Sequence, residues 1–246
     1  MGNNMEKEII CSLEKEGFRA HYYPGCKMTN KAIIAVGGAS CDEKTCIAMS
    51  GFLRKEGYNV LVLGFYLWKG LSKNLASIPI DYVEKAVKWL KEEQGIEKIA
   101  MTGASTGAGY TLVCASRIPE ITCVIPVEPF GYDLIEPNLN TDSRIKVEDM
   151  NADVLLLAAK NDDCWPSDVA TKRMIEVFKE KNYSHRVESH IYEKGSHALV
   201  DGMNEMSGFT RFLFKLMIPA EKKYPKECEE ARQDSFKRIV RFIEEW

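Results

Sequence analysis

The chain has 246 residues, 45% hydrophobic and 28% charged, with a formal net charge of −3. That length fits one globular domain, expected to span 1–246, with a sizeable core. The charge balance excludes the clustered basic surface of a nucleic-acid-binding protein. The C-terminal cations Lys222, Lys223, Lys226, Arg232, Lys237, Arg238 and Arg241 are interleaved with Glu and Asp and read as a solvated helix face.

No window approaches the roughly 18 apolar residues of a membrane span. The first ten residues, MGNNMEKEII, hold no signal-peptide core, and Glu6 stands where a myristoylation motif needs Ser or Thr. A cytoplasmic location without membrane contact is therefore expected. Eight cysteines without a C-x-x-C pair read as free thiols, with no structural zinc.

Residues 7–24 read as an opening hairpin turning at Glu16-Gly17. KAIIAVGG (31–38) is a buried strand ending in a tight turn. Apolar residues at helical spacing over 43–56 predict a helix closed by Gly57. NVLVLGFY (59–66) is a second buried strand, and 79–94 an amphipathic helix with Pro79 at its start. Strands follow at 98–105, 122–129, 153–161 and 186–193, with helices at 109–117, 167–181 and 227–245. Apolar strands alternating with helices of this length predict an α/β fold, a mostly parallel central sheet with helices on both faces.

Gly103-Ala104-Ser105-Thr106-Gly107 has the form G-x-S-x-G and falls between a predicted strand and a predicted helix. That context suits a nucleophile elbow. The glycines leave room for a sharp turn, the Ser105 hydroxyl projects above the sheet edge, and the helix N-terminus favours developing negative charge. A serine hydroxyl needs a base, and in this fold acid and histidine follow the serine. Of four histidines, His21 precedes Ser105, His185 sits in a polar turn and His190 inside a strand. His197 alone follows a strand in a loop at the expected sheet edge.

The loop after strand 153–161 offers Asp162 and Asp163 as the acid. Backbone N–H groups for an oxyanion are expected from Thr106 and from Gly38 or Ala39. Cys41, Tyr66, Trp68 and Trp165 flank the same edge as pocket candidates, with core packing the alternative for each.

Taken together, AVGGAS, FLRKEGYNVLVLGFY, LASIPIDYVEKAVKWL, GASTGAG, NDDCWPS and KGSHAL resemble the catalytic domain shared by acyl-CoA thioesterases and bile-acid-CoA:amino acid N-acyltransferases. The resemblance covers about residues 30–200 and implies the α/β-hydrolase fold. The separation of Asp163 from His197 resembles that family's acid-to-base spacing and selects Asp163 over Asp162. Ser105 stands where the acyltransferase branch carries cysteine, which implies hydrolysis of a thioester or ester through an acyl-serine, with no metal or cofactor. The family's N-terminal β-sandwich has no counterpart in the roughly 30 residues before the first buried strand.

A small-ester carboxylesterase or dienelactone-hydrolase-like enzyme uses the same three residues. A prolyl-oligopeptidase-type peptidase would need a large accessory domain, and a non-catalytic binding module would not need the three residues. Residues 201–226, with the apolar run 209–219, read as a packing helix, a lid or a homodimer contact.

Overall fold

The computed structural model describes residues 8–73, 78–130, 144–200, 208, 212 and 216–246. They build an eight-stranded sheet in the order β1-β2-β4-β3-β5-β6-β7-β8. The strands are β1 (Ile9–Cys11), β2 (Arg19–Tyr23), β3 (Lys31–Val36), β4 (Asn59–Gly64), β5 (Lys98–Ala104), β6 (Ile121–Val127), β7 (Asp153–Ala159) and β8 (Val187–Tyr192). β1 and β2 form the antiparallel hairpin, and β2 joins β4 antiparallel. Every pair from β4 to β8 is parallel.

The near-continuous apolar strands are explained by burial on both faces. Ile34, Leu61, Met101 and Leu156 face α3 (Asp81–Glu93), α4 (Thr106–Ala115) and α5 (Ser167–Glu180). Their neighbours Ile33, Val62, Ala100 and Leu155 face α1 (Glu43–Met49), α2 (Gly51–Lys55) and the closing helix, reached after the short α6 (Pro219–Lys223). That closing helix is α7 (Pro225–Glu245). Successive side chains point to opposite faces, so one apolar run supplies both cores. In α3, Val83, Ala86, Val87 and Leu90 recur at three and four and are buried.

Two expectations shift. The helix over 43–56 is two helices, broken at Ser50, whose Oγ donates to Ile47 O and so draws on a carbonyl of α1's last turn. Gly57 follows α2 with φ +82°, a backbone a glycine takes without strain. Arg232, read as solvated, is fully buried. Its guanidinium donates to Glu221, also buried, to Glu229 and to Ala198 O.

Of 201–226, residues 201–207, 209–211 and 213–215 lie outside the described residues. Phe212 and Leu216, which a packing helix would bury, are exposed, whereas Ile218 and Ala220 are buried. No helix among the described residues is long and apolar enough to cross a membrane. All eight cysteines are free.

The chain runs from β3 out to β4 and returns to place β5 on β3's other side, with Val36 paired to Gly103. This reversal is the switch point where a crevice opens beyond the C-terminal strand ends. Gly37-Gly38 follows β3, Ser105 follows β5, Glu128 follows β6, Asp162 lies beyond β7 and His197 beyond β8.

Candidate active site

Ser105 adopts φ 61°, ψ −128°, a backbone that non-glycine residues rarely occupy and that costs about 1–3 kcal/mol. The turn is held on one side by Ser105 N donating to Val127 O at 3.0 Å, and on the other by the start of α4. Its flanking glycines are dictated by space. A Cβ on Gly103 would lie 2.5 Å from Gly107 O, and one on Gly107 would lie 2.2 Å from Gly37 O. The G-x-S-x-G spacing thus lets β3's loop, the elbow and α4 approach backbone to backbone. The elbow also explains why α4 begins at Thr106, three residues before the predicted start.

His197 Nε2 lies 3.0 Å from Ser105 Oγ. The histidine loop is tied down from behind. Ser196 Oγ donates to Glu221 Oε1 at 2.5 Å, and Arg232 reaches Ala198 O at 3.2 Å. Trp165 sets its ring edge-on to the imidazole at 4.8 Å, tilts against Phe130 at 4.9 Å, and donates its Nε1–H to Glu128 O.

On the other side of the imidazole the structure places Asp162 rather than the expected Asp163. Asp162 Oδ1 is 2.7 Å from His197 Nδ1, and its side chain is only 1% exposed. The same oxygen accepts N–H bonds from Cys164 (3.0 Å) and Trp165 (3.3 Å), an Asx-type turn that fixes the carboxylate. Asp163 is exposed and accepts from Ala220 N at 3.2 Å, joining this loop to α6. The local turn decides between the two. Once the first aspartate folds back onto the backbone N–H groups that follow it, the second turns outward.

The Asp162–His197 contact is short, but the ring N–H does not aim at the oxygen. Hydrogen bonds in unliganded sites are often misaligned and tighten with substrate. Burial alone would lower the His197 pKa. The contact with Asp162 outweighs it and holds the imidazole above the ordinary histidine range.

Glu128 is the residue that sequence reasoning missed. It stands one residue past β6 with φ 55°, is 1% exposed, and places Oε2 4.0 Å from His197 Nδ1. Its Oε1 accepts from Leu199 N at 2.9 Å. Burial pushes its carboxyl up to about 8. Glu128 therefore keeps its proton at neutral pH beside the His197 imidazole. The available signal was a charged residue closing the apolar run TCVIPV at the sheet edge that carries the other candidates.

Gly38 is buried against the serine. A Cβ there would lie 3.6 Å from Ser105 Oγ, and its carbonyl accepts from Cys41 N. Ala39, next along, is half-buried. Thr106 opens α4, where the first N–H groups have no intrahelical acceptor. An oxygen anion formed at Ser105 would find such donors around it.

The pocket candidates divide. Trp165 borders His197, and Cys41 lies in the loop after β3, buried. Trp68 belongs to the core, 3% exposed and edge-on to His21 at 5.9 Å. Tyr66 packs on the opposite core, beside the stacked Phe65 and Tyr110. The ligand-type atoms of Asp162, Cys164 and His197 fall within 4.8 Å of one another. Two of these three already contact each other, so a metal ion there would compete with the Asp162–His197 pair.

An eight-stranded, mostly parallel sheet with a strained serine turn between β5 and α4 defines an α/β hydrolase. The match narrows further: the family model for the dienelactone hydrolase family fits residues 65–246, and the chain belongs to that family. In fold it is similar to a candidate dienelactone hydrolase from Klebsiella pneumoniae, with TM-score 0.67, 16% identity, 98% of this chain and 99% of that one covered. An esterase from Pyrococcus furiosus superposes with TM-score 0.62 and 18% identity, covering 98% and 93%. In sequence, the peroxisomal succinyl-coenzyme A thioesterase of Mus musculus is 23% identical over 162 residues, which is 50% of this chain and 38% of the mouse protein. The chain thus spans well under half the length of that relative.

Proposed function

We propose that this chain is a serine hydrolase that cleaves an ester or thioester through an acyl-Ser105 intermediate. The observation that carries the proposal is the 3.0 Å approach of His197 Nε2 to the hydroxyl of a serine held in a strained elbow. His197 takes the Ser105 proton as Oγ attacks the carbonyl carbon. Asp162 orients the ring and stabilises the imidazolium. The amide of Thr106 and those of the Gly38–Ala39 loop receive the oxyanion. The imidazolium then protonates the departing alcohol, or the thiolate leaves with little help. A water deprotonated by His197 releases the acid and restores Ser105.

Family membership supports small esters or lactones as substrates, and the mouse thioesterase supports an acyl thioester. The same machinery serves both, so the leaving group is decided by turnover. The purified chain is assayed against short, medium and long acyl-CoAs beside matching p-nitrophenyl esters, with Ser105→Ala as control. Cleavage of either class, lost in Ser105→Ala, is expected. Higher kcat/KM on acyl-CoAs selects the thioesterase reading, and turnover of short esters alone selects the esterase reading. Near-normal turnover in Ser105→Ala would overturn both.

A further inference from the structure

The loop that carries the oxyanion amides is wedged between two thiols. Asp42 caps α1 by accepting from Thr45 N at 2.9 Å. Cys41 precedes this cap, and Cys46 is the fourth residue of the helix. These are the two positions that pack together as a staple at a helix start. Here the staple is a pair of sulfurs. Cys46 Sγ lies 3.6 Å from Cys41 O, and Cys41 Sγ lies 3.5 Å from Met49 Sδ. The position a Cβ would take on Gly37 is 2.4 Å from Cys46 Sγ, 2.7 Å from Cys41 Cβ and 3.4 Å from Cys41 Sγ. Both sulfurs therefore sit close around one point on the oxyanion loop. Hydrogen bonding from the Cys46 thiol, with help from the Gly38 amide, holds the Cys41 thiol below the ordinary cysteine range despite its burial. A cavity of about 30 Å³ bordered by Gly37, Cys46 and Met49 gives the Cys46 sulfur room to move.

We propose that Cys41 and Cys46 form a reversible disulfide that displaces the Gly37–Gly38 loop and shuts off the Ser105 site. The switching half rests on the hydrolase reading above; the bond itself does not. A peroxide is the oxidant. The Cys41 thiolate attacks one peroxide oxygen and releases water or hydroxide, leaving a sulfenic acid. The Cys46 thiol displaces its oxygen as a second water, forming the S–S bond. Two thiols thus lose two electrons and two protons, and one peroxide becomes two waters. Closing the bond brings the sulfurs to about 2 Å apart. Gly37 packs directly on both, and its carbonyl abuts Gly107 of the serine elbow. Drawing the sulfurs together therefore moves the loop on which Gly38 meets Ser105.

The test treats the full chain with hydrogen peroxide, blocks remaining thiols, and digests with trypsin without reductant. Cleavage after Lys31, Lys44 and Arg54 separates the two cysteines, so the bond appears as peptide 32–44 linked to 45–54. The expected result is that linked pair, a more than tenfold fall in kcat, and recovery with dithiothreitol. Cys46→Ser keeps its turnover through the same treatment. Peptides 32–44 and 45–54 recovered unlinked after oxidation would overturn the proposal, as would a linked pair with unchanged kcat. Absence of turnover in the reduced protein would instead contradict the hydrolase reading, and the linked peptide would still report on the bond.

Discussion

Glu128→Gln separates the two carboxylates that approach His197. Folding buries Glu128 completely and pushes its carboxyl from 4.5 to about 8. Between those pH values the folded protein holds a proton that the unfolded chain has released. Folding then takes up a proton, so this group's contribution to stability falls as pH rises across the window. At about 1.4 kcal/mol per pH unit, the full penalty is at most on the order of 5 kcal/mol above pH 8. Glutamine has the same shape, keeps an oxygen for the Leu199 N–H, and cannot ionise. The variant should match the parent near pH 4 and become progressively more stable than it towards pH 9. Urea unfolding of both proteins at several pH values across this range measures the gap. Turnover adds a second reading. Glu128 holds its proton below about pH 8, so Glu128→Gln should leave the acid limb of kcat/KM where it is in the parent. With Asp162 as the orienting acid, kcat should fall less than tenfold. A stability gap that does not change with pH would refute the burial argument, and a thousandfold loss of kcat would make Glu128 the acid instead.

Asp162→Asn should lower kcat by about 10³–10⁴-fold, the scale of losing the group that fixes the histidine tautomer, while Asp163→Asn stays within about twofold; steady-state kinetics on the pair checks this, and equal losses would reject the assignment. Arg232→Leu leaves Glu221 buried without its ion partner and should cost about 3–5 kcal/mol in urea unfolding. Adding Glu221→Leu should recover much of that stability, because the double variant buries no unpaired charge.

The fold was legible because its physical signals are local. Runs such as KAIIAV and DVLLLAA bury both faces of a strand, and glycines mark the points where backbones touch. Ser105 and His197 were legible because motif and chain order fix their place on the sheet edge. Asp162 was not, because adjacent aspartates differ only in which one the turn folds inward, a matter of backbone N–H groups contributed by Cys164 and Trp165. Family spacing selected Asp163, the neighbour that turns away from His197. Arg232 was misread through its charge. Its position was readable, since Cys228, Arg232, Ser235, Ile239 and Phe242 recur at three and four along α7 and all are buried. Trp68 and Tyr66 were drawn toward the site by proximity in sequence. β4 ends at Gly64, and the chain beyond it turns Trp68 and Tyr66 into opposite cores.

The most direct test of the account is covalent capture of the nucleophile. The native chain is incubated with a fluorophosphonate, and intact mass and peptide mapping locate the adduct. The account predicts one adduct on Ser105, absent in Ser105→Ala and strongly slowed in His197→Ala. A native protein that stays unmodified, or an adduct on any other residue, would contradict it.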